Sequence, residues 1–227
     1  AINSKFGVYS PAERLDQTID TIISIKEKIP TAFIVVMECC GDPILPEQEA
    51  RLRSVSDIFI DCSHDPDVQS MYDNDNWDVV KNGTEIYCFG KTLGILSKNN
   101  ITSGYSRIHK MSGRYLLNND FNPALYEQDN IVDKIVIGPS QSSQFDYNLT
   151  LVERQYMARL WSWPTNLTDE IISVYDNSLL YMWDRLQKGG YADIEHVLYK
   201  FLDHKKLLNL DELGVEGNIA PNGMAIK

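Results

Sequence analysis

Apolar residues recur at helical spacing over some stretches of the chain and run unbroken over others. Leu15, Ile19, Ile22 and Ile23 share one face of a segment that begins at Ser10-Pro11 and is stopped by Pro30. Serine followed by proline is a helix cap and a first helical turn, so a helix is predicted from Pro11 to about Lys28. Before it, Lys5 to Tyr9 reads as a short strand. After it, Thr31 to Met37 is a continuous β-branched run, the mark of a strand covered on both faces. A helix over residues 46–55 and a short strand over residues 57–62 follow. The order β-α-β-α-β predicts a parallel, right-handed, doubly wound sheet. Further helices are predicted over residues 84–96, with Ile86, Phe89, Leu93 and Leu96 inward, over 168–188 and over 193–202. Residues 133–137 read as a strand, and residues 213–223 as tight turns around a short strand.

In an open parallel sheet, ligands bind beyond the carboxyl ends of the strands. Those ends bring forward Tyr9, Arg14 just inside the first helix, and Glu38. Arg14 is equally at home as a surface helix charge. A carboxylate closing an apolar strand needs a partner; Glu38 can take a ligand base or ribose, or pair with a loop cation. Lys91 lies on the third predicted helix and can turn toward the same place.

The most unusual stretch is Tyr105 to Phe121, Y-S-R-I-H-K-M-S-G-R-Y-L-L-N-N-D-F. It reads as strand, glycine break, strand. Lys110, Ser112, Gly113 and Arg114 cluster at the break, where glycine permits positive φ or close approach. Lysine and arginine there suit a phosphate, which arginine grips with two parallel hydrogen bonds. A hairpin whose charges face water has the same pattern.

Composition sharpens this. The 227 residues suit one α/β domain and carry a net charge of −11, which argues against non-specific binding of nucleic acid or anionic membrane. A cationic cluster in so acidic a chain is a local feature. The four cysteines, Cys39, Cys40, Cys62 and Cys88, show no zinc spacing and read as buried thiols of a reducing cytosol. Sequons at Asn82, Asn100, Asn148 and Asn166 point weakly to a secretory route. No leader and no membrane-spanning run is visible, so a cytoplasmic location is expected. No serine-histidine-acid set, H-E-x-x-H, P-loop or G-x-G-x-x-G stands in the sequence, which leaves most hydrolase, zinc-protease and dinucleotide readings without a motif. The acidic triplet Asp73-Asn74-Asp75 matches D-x-D, a pattern common in polar loops.

The stretch H-K-M-S-G-R-Y-L-L resembles the K-[IM]-[ST]-G-R-Y signature of a group of uncharacterised glycosyltransferase-like proteins of bacteria and large viruses. Ile194 to Leu198 and Gly214 to Gly223 resemble two further segments of that group, as does an N-terminal helix with an arginine, here Arg14. The resemblance implies a single GT-A-like α/β domain over residues 1–227, with a Rossmann-like, mostly parallel central sheet flanked by helices. Residues 1–121 would bind a nucleotide sugar and residues 122–227 a glycan or other hydroxyl acceptor. Ser112-Gly113-Arg114 would stand where such enzymes carry metal-binding acids. Arg114, helped by Lys110, would then neutralise the leaving diphosphate, with no metal required and Mn²⁺ the less favoured case. An inverting reaction needs a carboxylate to deprotonate the acceptor; Glu195 is the first candidate and Asp120 the second. A first-turn acid such as Glu195 also stabilises its helix through the dipole. The alternative to a transferase is a non-catalytic carbohydrate- or nucleotide-binding module with tryptophans such as Trp77, Trp161, Trp163 and Trp183 as sugar platforms.

Overall fold

The computed structural model describes residues 1–218 and 225–226. Ser10 caps α1 (Pro11–Lys28) in a reciprocal capping box with Glu13, and proline occupies the first turn. The parallel pair β1 (Val35–Glu38) and β2 (Ile58–Asp61) is bridged by α2 (Pro46–Val55). Leu15, Leu52 and Phe59 are buried together between these elements. Next come α3 (Pro66–Tyr72), a π-helical turn over Val79–Gly83, and α4 (Thr84–Lys98). The strands β3 (Arg107–Met111) and β4 (Tyr115–Leu117) flank the glycine break, and β5 (Ile135–Ile137) follows. The remaining elements are β6 (Gln141–Ser142), α5 (Tyr147–Thr150), β7 (Arg154–Gln155), β8 (Leu160–Pro164), α6 (Thr168–Gln187), α7 (Ile194–Phe201), β9 (Leu207–Asn209), β10 (Val215–Asn218) and β11 (Ala225–Ile226).

The fold is mixed α/β, but its strands do not join into one parallel sheet among the described residues. They form four small sheets: β1-β2, β11-β10-β4, β3-β8-β5-β9, and β6-β7. Within the second half only β5-β9 is parallel. The run Lys5–Tyr9 makes no strand; the Arg14 side chain holds this segment instead, donating to the carbonyls of Ala1 (3.1 Å), Tyr9 (2.9 Å) and Phe6. On α1, Ile23 is exposed while Thr21 and Ser24 are buried. Ser24 earns its burial by accepting the Leu117 N–H at 3.1 Å, so the helix is keyed to β4 by a hydroxyl rather than by a methyl group. The main core lies where α4, α6 and α7 cover β5 and β8, around Trp161, Trp163, Tyr175, Ile171 and Leu198. That removes Trp161 and Trp163 as sugar platforms.

Two findings concern the central stretch. β3 and β4 are not a hairpin: β3 pairs with β8, whereas β4 pairs with β10. The break at Ser112–Arg114 is a crossing from one sheet to another, and the sheets also cross the boundary at residue 121. Gly113 keeps an ordinary φ. Its lack of a side chain lets α1 approach, since a Cβ there would stand 3.1 Å from Thr18 Oγ1.

Candidate anion site at the end of the first parallel strand

Beyond the carboxyl end of β1, Cys39 and Cys40 line a cavity of about 100 Å³ that opens to solvent. The 1–9 segment supplies Phe6, α1 supplies Arg14, the π-turn supplies Lys81, the start of α4 supplies Glu85, and the sheet crossing supplies Arg114. π-turns are frequent at functional sites, and this one turns Lys81 and the neighbouring Asn82 out of the α4 register. Phe6 and Trp77 meet edge to face, with ring centroids 4.4 Å apart, and give the cavity an aromatic wall.

The two arginines differ in what they are free to do. Arg14 is buried and its guanidinium is taken up by three carbonyls. Burial, together with the charge of Arg114, lowers its pKa, so the two guanidiniums share one electrostatic space. Arg114 Nε is buried with no hydrogen-bond partner among the described residues. An unpaired buried donor on a cation is costly, and an anionic ligand would remove that cost.

Lys110 does not serve as a phosphate grip. It is buried, and its ammonium donates to Ala158 O (3.0 Å), Ser112 Oγ (3.0 Å) and Glu85 Oε1 (3.2 Å), which uses all three of its protons. Its effect reaches the cavity through Glu85. Burial pushes the Glu85 carboxyl up, but Lys110 and Lys81 outweigh it and hold the group below its ordinary value. Glu195, in the first turn of α7, is in the opposite state. Burial first, then the charge of Asp193, raise it to about 8 against the pull of Lys81, with Glu85 adding to the rise. Glu195 is not part of the cavity wall; it lies behind Lys81 and Glu85, close enough for their charges to act on it. Tyr175 Oη, buried without a partner among the described residues, feels both carboxylates.

The other sequence candidates fall elsewhere. Glu38 is buried and accepts the backbone N–H groups of Ile2 (2.8 Å) and Cys40 (3.0 Å), so its partner is the backbone. Tyr9 contributes a carbonyl to Arg14, not its ring to the cavity. Ser112 accepts from Lys110. Lys91 pairs with Asp65 and borders a separate apolar cleft between α4 and α6. Asp120 lies in an exposed turn after β4, outside the cavity wall. Among the described residues no three of His, Cys, Asp and Glu gather as a metal-ligand set, and no helix is long and apolar enough to cross a membrane. Of the last glycine-rich segment, residues 219–224 and 227 lie outside the described residues.

Lys81 and Glu85 went unnoticed in the sequence because their region reads as one polar loop followed by one amphipathic helix, whereas the structure makes both line one cavity. One constellation was not visible in the sequence. Ser143, His196 and Asp193 are brought into hydrogen-bonded line, although no local motif joins them. Scans against protein-family models, curated protein sequences and solved structures return no match.

Proposed function

We propose that the cavity takes the diphosphate of a nucleotide sugar and that the protein transfers the sugar to a hydroxyl acceptor, in the manner of a GT-A-like glycosyltransferase. The observation that carries this reading is Arg114 Nε, buried without a partner among the described residues in a cavity that Arg14 and Lys81 also line; the contrast between Glu85 and Glu195 supports it. Two carboxyl groups in one neighbourhood are driven apart in pKa, one held ionised and one poised near neutrality, beside a cationic pocket in an acidic chain. Such divergence is how acid and base roles are divided. Arg114 and Lys81 would hold the diphosphate, and Arg14 would add charge from behind its carbonyl clasp. Phe6 and Trp77 offer the nucleoside base a stacking face. Glu85, the carboxylate of the pair that lines the cavity and is held ionised, would accept the proton of the acceptor hydroxyl as the bond to the sugar forms, while Glu195, outside the cavity wall, would act on it only through charge. With cations in these positions, the leaving diphosphate is neutralised by side chains and a metal is not required.

Titration calorimetry of UDP and GDP in EDTA and in Mn²⁺ tests the reading. Binding in EDTA is expected for one of them. Arg114→Ala should weaken diphosphate binding roughly ten- to a hundredfold while sparing the nucleoside. An absolute need for Mn²⁺, or equal losses for nucleotide and nucleoside, would overturn it. The alternative, a nucleotide- or carbohydrate-binding module without turnover, is separated by following release of free nucleotide from the bound nucleotide sugar.

A further inference from the structure

Outside the residues that line the cavity, Ser143 Oγ lies 2.9 Å from His196 Nε2, and His196 Nδ1 lies 2.5 Å from Asp193 Oδ1. We propose that Ser143, His196 and Asp193 form a second, hydrolytic site, with Ser143 as nucleophile toward carboxylic esters of a small apolar acyl group. The inference is independent of the nucleotide-sugar reading.

Each member has its orientation fixed from outside the trio. Asp193 caps α7 by accepting the His196 N–H at 3.1 Å, and its other oxygen accepts the Tyr191 hydroxyl at 3.0 Å. With the carboxylate on Nδ1, the imidazole carries its proton there and presents the Nε2 lone pair to Ser143. The hydrogen bonds of His196 hold Asp193 below its ordinary value against burial, which keeps it ionised. His196 is fully buried, whereas Ser143 is half-buried on the solvent side, so the nucleophile is the member a substrate can reach. The hydroxyl proton has two acceptors in range, His196 Nε2 and Phe145 O at 2.8 Å. The Phe145 ring lies over the imidazole with centroids 5.8 Å apart and is 40% exposed; it is the piece that must shift for a leaving group to meet Nε2.

An ester also needs donors for the charge that develops on its carbonyl oxygen. In serine hydrolases built on a G-x-S-x-G elbow, a motif absent around Ser143, the N–H of the residue after the serine supplies one. Here that is Gln144 N–H, which now donates to the side-chain oxygen of Gln155 at 3.0 Å, an amide oxygen standing in for an oxyanion. Phe145 N–H donates to Ser143 Oγ itself at 3.0 Å and becomes a second donor only when Oγ moves onto the acyl carbon. The adjoining segment exposes Phe145, Tyr147, Leu149 and Leu151, an apolar surface for the acyl group.

The step balances within the trio, the ester and water. Oγ bonds to the acyl carbon as its proton moves to Nε2. The ester C–O bond then breaks, and Nε2 returns the proton to the departing alkoxide, which leaves as an alcohol. Water, deprotonated by Nε2, attacks the acyl carbon and releases the acid, and the proton goes back to Ser143.

The test is labelling of the full chain with a fluorophosphonate probe and peptide mapping, alongside hydrolysis of p-nitrophenyl acetate and butyrate. The expected result is a single adduct on Ser143 and ester hydrolysis that Ser143→Ala abolishes. Asp193→Asn keeps a good helix cap and should slow hydrolysis by roughly 10⁴-fold, since it presents the wrong imidazole tautomer. Absence of an adduct on Ser143 in the folded wild-type chain, which depends on no variant, would overturn the proposal. So would hydrolysis no faster than in buffer, or a folded Ser143→Ala variant as active as the wild type.

Discussion

Glu195 carries a stability consequence opposite in sign to that of an ordinary surface acid. Its folded pKa is raised above the unfolded one, so the folded state holds the proton longer. The group contributes nothing against folding below the unfolded value near 4.5 and destabilises progressively as pH climbs toward about 8. Glu195→Gln, which mimics the protonated form, should therefore melt higher than the wild type at pH 8–9. The two should converge near pH 4, with each kcal/mol worth about 2–4 °C in a chain of this size. Thermal melts across pH check this, and a gap that widens toward acid would refute it. His109 behaves in the reverse way. It is pushed down to about 4 by burial, with Arg107 adding to the fall, and its Nδ1 is buried without a partner among the described residues. Its pKa is depressed, so the stability it contributes is present above the unfolded value near 6.5 and is lost as pH falls through about 4. His109→Leu should flatten the acid limb of the stability profile, measured by urea midpoints between pH 7 and pH 4. Lys110 shows why residue type alone misleads: a lysine beside an arginine looks like a pair of phosphate ligands until its three protons are found on Ala158, Ser112 and Glu85.

Among the elements, the helices were legible because their signals are local. Ser10-Pro11, Asp193 and the apolar spacing of α6 mark starts and faces that tertiary packing did not need to revise. The strands were legible singly but not in their partnerships. β3 and β4 are separated by three residues and look like a hairpin, yet each finds its partner far along the chain, and nothing within seventeen residues encodes that choice. The π-turn was invisible for a related reason: Val79–Gly83 is too short a run for apolar periodicity to tell a wide turn from an ordinary one. The Ser143–His196–Asp193 line could not be read either, since Ser143 follows β6 while His196 and Asp193 stand at the start of α7, about fifty residues on. The junction into β10 is the strictest of these elements. Gly214 has φ +67, and a Cβ there would lie 2.1 Å from Phe121 N. Gly214→Ala should cost more than about 2 kcal/mol through strain and backbone clash together, read as a lowered urea midpoint. A midpoint equal to the wild type would show that β10 docks differently.

At the scale of the whole molecule, the cationic cavity is set in a body of net charge −11. A polyanionic ligand approaches against the long-range field and is held by the short-range one. Salt weakens both, but attraction inside the cavity dominates once the ligand is bound. Nucleoside diphosphate affinity should accordingly fall severalfold between about 0.01 M and about 1 M salt, as the screening length shrinks from about 30 Å to about 3 Å; affinity that rises with salt would place the ligand elsewhere. The pairing of β4 with β10 has a consequence for synthesis. Arg114 stands immediately before β4, whose edge is completed only by residues 215–218, about a hundred positions later in translation. A nascent chain can wind α1 and pair β1 with β2 early, while the arginine loop must wait for residues 215–217 to emerge. Ligand binding should therefore appear late and abruptly as ribosome-bound chains lengthen past Asn218. The region around Arg114 is where chaperones would find the incomplete chain longest exposed.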